Sequence, residues 1–251
     1  MRLLSLFFRR ETAVPVLALS FASLVSGVLV VARILSTGNL YYGFLLWNLF
    51  LAWLPLVFAV LACDNFRNAP RPNLRLAGLA MAWLLFFPNA PYIFTDLIHL
   101  HTRFFGQFWI DLATVLTCAL TGWVLGFVSL YLMQSIVSRM FNPLTGWLFT
   151  LAATGLGSFG IYLGRFWRFN SWDVVAKPAQ LFRGLGAVTS RSLIDPGTIA
   201  FPLLFAAFLL SSYLMLYALT HLSPADLAAS APSALNEVRS VKCEVPSAGG
   251  A

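Results

Sequence analysis

The chain has 251 residues, of which 59% are hydrophobic and only 10% are charged, and its mean hydropathy is +0.81. A soluble globular domain is nearer half apolar and a quarter charged, so this composition excludes an ordinary soluble enzyme. The net charge of +7 would suit a nucleic-acid partner in a soluble protein. Here the basic residues lie at the ends of apolar stretches and in loops, where lipid phosphates and the positive-inside bias account for them. No nucleic-acid partner is expected.

Six uncharged apolar stretches, each of about 20 residues or more, predict six transmembrane helices. In chain order they cover residues 13–32, 41–62, 76–95, 112–137, 144–164 and 199–219. The predicted fold is all-α, a polytopic transmembrane helix bundle, with the third span broken at Pro88-Asn89-Ala90-Pro91. Residues 13–222 form one membrane domain between a basic N-terminus, 1–12, and a tail, 223–251, whose Ala, Ser and Pro content predicts disorder.

Basic residues predict the orientation. With the N-terminus inside, nine of them lie in inner segments and seven in outer ones, and five of those seven occur in the loop between the fifth and sixth spans. Cytoplasmic segments carry the excess of Lys and Arg in most membrane proteins, so the N-terminus is predicted to be cytoplasmic.

The first polar cluster follows the break in the third span. Pro88 and Pro91 remove backbone donors and disfavour helix just before them, which predicts the break. If an α-helix resumes near Tyr92, then Asp96, His99 and Arg103 lie on one face of it. Asp96 with His99 would suit an acid/base pair or two metal ligands, but a zinc site needs three or four ligands. No metal site is therefore predicted, and whether the protein uses a cofactor stays open.

The second cluster follows the fifth span, where Arg165 and Arg168 share a helical face and Asp173 supplies a counter-charge. A guanidinium group suits a phosphate or a carboxylate, although such arginines also anchor helix ends in lipid headgroups. Both clusters follow odd-numbered spans, so they lie on the same side of the membrane. A third, smaller cluster is Asn48 with Pro55 inside the second span.

Glycines recur at helical spacing in two spans. Gly155-x-Gly157-x-x-Gly160 matches the dinucleotide fingerprint literally, but it lies inside a predicted span with no strand before it, so it is a false match. Gly160-x-x-x-Gly164 and Gly122-x-x-x-Gly126 are typical of close helix packing and offer faces for a homo-oligomer.

The segments around these clusters resemble an uncharacterised bacterial integral membrane family, domain of unknown function 1361. The similar segments are Leu46 to Trp53, Phe87 to Tyr92 with Thr95 to Leu100, Gly160 to Phe166, and Asn170 to Asp173. The resemblance spans roughly residues 39–219 and implies a multi-pass protein of the bacterial inner membrane. It implies no reaction, substrate or catalytic residue.

The favoured hypothesis is a membrane protein that recognises an anionic lipid headgroup or an envelope precursor at the outer-face edge of the membrane. Asp96 and His99 are the candidate catalytic residues, and whether the protein is an enzyme stays open. The candidate binding residues are Asn89, Tyr92, Arg103, Arg165, Arg168, Asn170 and Asp173. Two alternatives remain: a small-solute or ion transporter or channel that uses the broken third span and Asn48, and a structural subunit of a membrane complex.

Overall fold

The computed structural model describes residues 13–100, 105–171, 173–176, 178–179, 183, 186 and 197–221. Six helices in this part of the chain are long and apolar enough to cross a membrane, which confirms the predicted spans, and no strand occurs among the described residues. The spans are Val14–Thr37, Leu40–Asn68, Leu74–Ile98, Gln107–Met140, Pro143–Trp167 and Ile199–Thr220. The predicted N-terminal segment 1–12 and the predicted disordered tail 223–251 lie outside the described residues.

Among the described residues, the α-helices with defined bounds are α1 (Ala13–Thr37), α2 (Phe44–Asn68), α3 (Leu74–Phe86), α4 (Asn89–Tyr92), α5 (Phe105–Met140), α6 (Pro143–Trp167), α7 (Asp173–Ala176) and α8 (Gly197–Thr220). Short 3₁₀ helices cover Leu40–Tyr42 and Ile93–His99, and the second completes the third span. Several helices continue past the charged residues that end the apolar stretches, since long charged side chains reach the headgroup region from a helix end.

Asparagine side chains cap the first turns of the α-helices α3 and α6. The Asn142 side-chain oxygen accepts hydrogen bonds from the backbone N–H of Thr145 at 2.7 Å and from its hydroxyl at 2.9 Å. Pro143, the first residue of α6, has no N–H that would need a partner there. Asn73 caps α3 in the same way through the N–H of Leu76 at 2.8 Å.

We expect Asn142→Ala to lower the free energy of unfolding by about 1 kcal/mol, because it removes the acceptor for the first N–H groups of α6. Asn142→Asp keeps an acceptor at the same position and is the matched control, which should retain nearly all of the stability. Denaturant titration of the purified protein in detergent measures both changes. Equal losses in the two variants would contradict the capping role.

Helix α5 is the central helix. In its most apolar stretch 61% of the residues are buried within the chain, against 11–44% in the other five spans. It packs against α1, α2, α4, α6 and the 3₁₀ helix Ile93–His99. Thr114, Thr117 and Thr121 donate their hydroxyls to carbonyls one turn earlier in α5. Every buried side-chain nitrogen or oxygen in the described part of the chain has a hydrogen-bond partner, as a hydrocarbon environment requires.

The third span is interrupted at the two prolines, as predicted. Helix α3 ends at Phe86, and the four residues of α4 follow before the 3₁₀ helix begins. Pro88 and Pro91 have no N–H to donate to the preceding turn, so the helical hydrogen-bond pattern is broken there. The N–H of Ala90 reaches only three residues back, to the Phe87 carbonyl at 3.2 Å.

The α-helix predicted to resume near Tyr92 is instead a 3₁₀ helix that ends at His99. Leu100 leaves the helical conformation, with φ −70° and ψ 50°, so no continuous helix carries the face proposed for Asp96, His99 and Arg103. Residues three apart eclipse one another in a 3₁₀ helix, which keeps positions 96 and 99 on one side of it. Arg103 and the side chain of His99 lie outside the described residues.

Glycines of α5 and α6 receive the broken segment of the third span. A Cβ at Gly122 would lie 2.7 Å from the Ala90 carbonyl oxygen, and one at Gly160 would lie 2.7 Å from Cγ of Pro88. Gly126, Gly157 and Gly164 likewise face Ala90, Phe87 and Tyr92. The glycine spacing predicted close helix packing, and the structure confirms it within one chain, because the break lets the backbone of the third span approach both neighbouring helices. A homo-oligomer through the same faces stays a prediction.

An ion pair joins α1 to α5 near the end of the bundle at which the third span ends. The Arg33 side chain donates to the Asp111 carboxylate, and both side chains are buried, with 8% and 3% of their surface exposed. Arg33 also donates to Gln107 at 2.9 Å. Asp111, near the start of the fourth span, therefore has a partner on α1.

The chain divides into two compact units, Met1–Leu210 and Ser211–Ala251. In the first unit, the part of α8 up to Leu210 packs through aromatic rings, with Phe208 4.5 Å from Trp123 and 5.4 Å from Phe94 between ring centroids. In the second unit, the described residues 211–221 complete α8, and the Tyr217 and His221 rings stack at 4.1 Å.

Candidate functional site

The site centres on Asp96, which is contacted from two other spans. Its carboxylate accepts a hydrogen bond from Nδ2 of Asn48 in α2 at 2.8 Å, and its other oxygen lies 3.1 Å from the guanidinium of Arg165 in α6. The Asp96 side chain is 2% exposed and that of Arg165 is 16% exposed. A buried carboxylate is tolerated when it is paired and hydrogen-bonded, and both conditions hold here. Three spans therefore meet at one charged group.

The Tyr92 ring lies near the Arg165 guanidinium. The guanidinium carbon lies 5.9 Å from the centroid of the Tyr92 ring, at the outer limit of a cation–π contact. Gly164, next to Arg165 in α6, leaves room for this ring, since a Cβ there would lie 3.2 Å from Cε2 of Tyr92. The break at the prolines brings Tyr92 to α6, and the glycine of α6 accepts it.

Arg168 ends α6 in an unusual conformation. Its φ of 56° and ψ of 32° place it in the left-handed region, where it is the only non-glycine with positive φ among the described residues. The Leu163 carbonyl accepts hydrogen bonds from the N–H groups of Arg168 and Phe169. Glycine is the usual residue at such a position, and a non-glycine there costs about 1 kcal/mol or more. The exposed Arg168 is thus held at a strained turn, a feature that clusters at functional sites.

Two further hydrogen bonds order the segment after Arg168. The Asp173 carboxylate accepts from the backbone N–H of Asn170 at 2.8 Å, and Asp173 is buried. Asn89 of α4 donates through Nδ2 to the Ser171 hydroxyl oxygen at 3.0 Å. This contact ties the segment after the fifth span to the broken third span.

Two cavities open at this site. The first, of about 800 Å³, lies between α2, α3 and α6, and its polar end holds Asn48, Asn89, Asp96, Arg165, Asn170 and Ser171. The second, of about 680 Å³, is lined by Tyr92, Ile98, Gly164, Arg165, Arg168 and Asn170. Arg165 lies in the wall of both. The charged residues that line the two cavities are Arg165, Arg168 and Asp96, which leaves one net positive charge.

Most of the predicted site residues come together. Asn89, Tyr92, Asp96, Arg165 and Asn170 line the first cavity, and Arg168 lines the second. Asp173 lines neither cavity and instead holds Asn170. His99 is described only in its backbone, and Arg103 lies outside the described residues, so their roles stay predictions.

Sequence reasoning missed that Asn48 belongs to this site and assigned it to a separate cluster inside the second span. The structure joins it to Asp96 across 48 positions of sequence. The available signal was an amide inside an apolar stretch flanked by Trp47 and Trp53, which indicates a buried partner without naming it. Among the described residues, no three His, Cys, Asp or Glu side chains lie close enough together to hold a metal ion.

Residues 47–215 match the family described as Protein of unknown function (DUF1361). This match covers more than half of the chain. The chain belongs to this family. No curated protein and no solved structure matches it.

In this DUF1361 protein, the matched region contains the whole described site, from Asn48 to Asp173. It also contains Asp111, whereas the partner Arg33 lies before it, in α1. Chemically, the site presents guanidinium groups beside uncharged amides and a hydroxyl. Such a set binds anions and hydroxyl-bearing groups.

Proposed function

We propose that this protein lies in a bacterial inner membrane with its N-terminus in the cytoplasm and binds an anionic lipid headgroup or envelope precursor at the extracytoplasmic edge. The single observation that carries the proposal is the pair of cavities that share Arg165, one with a polar lining and one that continues into an apolar space. Ligand sites of this size are commonly apolar with a few convergent polar groups.

The charge of the site favours an anion. Asp96 is paired with Arg165, while the exposed Arg168 adds a second guanidinium to the wall of the second cavity. A planar guanidinium fork recognises phosphate or carboxylate with directional hydrogen bonds. Asn170 and Ser171 add neutral hydrogen-bonding groups for the remaining oxygens of such a headgroup.

The position of the polar groups supports binding at the edge over transport. A transport path requires polar side chains near the middle of the spans. Asn48, the residue that the transport hypothesis placed on such a path, donates to Asp96 near the end of the third span. The proposal covers recognition of the lipid. An acid/base role for Asp96 with His99 would be an additional property of the same site.

We expect Arg168→Gly to weaken binding of the anionic lipid about tenfold, since hydrogen bonds to charged groups contribute about 1.5–3 kcal/mol. Glycine accepts the left-handed conformation, so the overall stability should stay near that of the unchanged protein. The measurement is the rise in Tm when dioleoyl phosphatidylglycerol, compared with dioleoyl phosphatidylcholine, is added to the protein in a neutral detergent.

Arg71→Gly is the matched control, because it removes the same charge from the loop at the opposite end of α2 and α3. This variant should keep the preference for phosphatidylglycerol. Equal Tm shifts from the two lipids in the unchanged protein would overturn the proposed function, as would an Arg168→Gly variant that responds like the control.

A further inference from the structure

The lining of the first cavity is polar at one end and apolar over the rest of its length. Next to its polar end, its wall consists of apolar side chains from three helices: Leu51, Met81, Leu84, Leu85, Leu156 and Phe159. A space of about 800 Å³ is far larger than the voids that a packed protein leaves empty. In a membrane span, the material that fills an apolar space is hydrocarbon.

The apolar part of this cavity opens sideways. Trp47, Met81 and Leu156, one from each of the three helices around it, are 54%, 74% and 56% exposed. All three lie within spans, so the surface that they present faces the hydrocarbon of the bilayer. A lipid chain can therefore enter from the bilayer without passing a polar group.

The depth of the cavity corresponds to one leaflet. Leu156 and Arg165 both line it and are nine residues apart on α6, which is about 13 Å along a regular helix. Half of a hydrocarbon core of about 30 Å is close to this depth. The two cavities share Tyr92, Gly164, Arg165 and Asn170, so a headgroup in one and a chain in the other belong to a continuous space.

We infer that the ligand is a lipid whose own hydrocarbon chain lies in the apolar slot between α2, α3 and α6 while its anionic headgroup contacts Arg165 and Arg168. The inference rests on the proposed function, because it assigns the anion of that site to a membrane lipid of one leaflet. If the ligand were instead a water-soluble anion, the chains in the slot would belong to other lipid molecules.

The test uses phosphatidylglycerol with a photoreactive diazirine part-way along one chain, present as a minor component in vesicles of dioleoyl phosphatidylcholine that contain the full-length protein. Phosphatidylcholine with the same modified chain is the reference probe. Mass spectrometry of peptides compares labelling of the slot wall, Met81 to Leu85 and Leu156, with labelling of the bilayer-facing residues Leu17 and Phe21 of α1.

We expect the phosphatidylglycerol probe to label the slot wall about tenfold more than the reference probe, with equal labelling of α1, because Arg168 holds only the anionic headgroup. Arg168→Gly should abolish this preference, and so should Ala82→Phe, which fills the slot with an aromatic ring. Ala32→Phe makes the same change on the exposed face of α1 and should keep the preference. If Ala82→Phe does not fold, the comparison of the two probes in the unchanged protein still decides.

Equal labelling of the slot wall by both probes, together with a Tm preference for phosphatidylglycerol that depends on Arg168, would overturn the inference that the lipid chain lies in the slot. The proposed function would still hold. A Tm shift from glycerol 3-phosphate as large as that from phosphatidylglycerol would do the same, because the chain would then contribute nothing. Loss of the Tm preference itself would overturn both.

Discussion

Replacing Arg165 with Met is expected to lower the free energy of unfolding by about 3–5 kcal/mol, because it removes the guanidinium that forms an ion pair with the buried Asp96 carboxylate. Asp96 is 2% exposed, so water cannot take over the lost interaction. Asn48 would still donate a hydrogen bond to Asp96 at 2.8 Å, but an amide does not replace the charge of the guanidinium. The double variant Arg165→Met with Asp96→Leu should recover most of this loss, since it removes the buried carboxylate together with its guanidinium partner. Denaturant titration in detergent measures the four proteins of this cycle.

The pair Arg33 and Asp111 is the matched control, because it is a second buried ion pair at the same end of the spans. Breaking it should destabilise the protein, and Arg33→Met with Asp111→Leu should again restore stability. The two double variants should differ in lipid binding: the Arg33 and Asp111 variant keeps the Tm preference for phosphatidylglycerol, and the Arg165 and Asp96 variant loses it. Retention of the preference in both would show that Arg165 is structural and does not contact the lipid.

Gly160→Val is expected to lower the free energy of unfolding by about 3 kcal/mol, because even its Cβ would lie 2.7 Å from Cγ of Pro88. The proline ring belongs to the broken segment and cannot move away without displacing α4. Gly155→Val changes the same residue type in the same helix, where a Cβ meets nothing within 4 Å, so its stability should change by only a few tenths of a kcal/mol.

This comparison also tests the intramolecular use of the glycines. If Gly160→Val were as stable as Gly155→Val in the monomeric protein, the face at Gly160 would not be packed against the third span. A contact with a second copy would then have to account for the glycine spacing.

The spans could be predicted because hydrophobicity is a local property of the sequence. Six apolar stretches identified six helices, and two prolines located the break. The helix ends were less accurate, since Arg33, Asp111 and Arg139 lie inside helices although each bordered an apolar stretch. The 3₁₀ helix after Tyr92 could not be predicted, because its form depends on packing against α5 and α2 rather than on its own residues.

The site could be predicted only as separate pieces. Asp96 and Arg165 were each singled out, but they are 69 positions apart, and no sequence pattern states that they pair. The contacts of Asp111 with Arg33 and of Asn48 with Asp96 could not be predicted for the same reason. Parity of the spans placed the two clusters on one side of the membrane, and the contacts among α2, α6 and the broken span bring them together.

A single lipid site formed by the third and fifth spans is tested most directly by the rate of maleimide labelling of single cysteines in a cysteine-free protein reconstituted into vesicles. Ile98 and Asn170 are exposed positions that line the second cavity, and Phe141 is exposed at the opposite end of the spans. We expect cysteines at 98 and 170 to be labelled from the same side of the membrane and the one at 141 from the other. Phosphatidylglycerol should slow labelling at 98 and 170 only. Labelling of 98 and 170 from opposite sides, or no protection by phosphatidylglycerol at either, would contradict a single lipid site formed by the third and fifth spans.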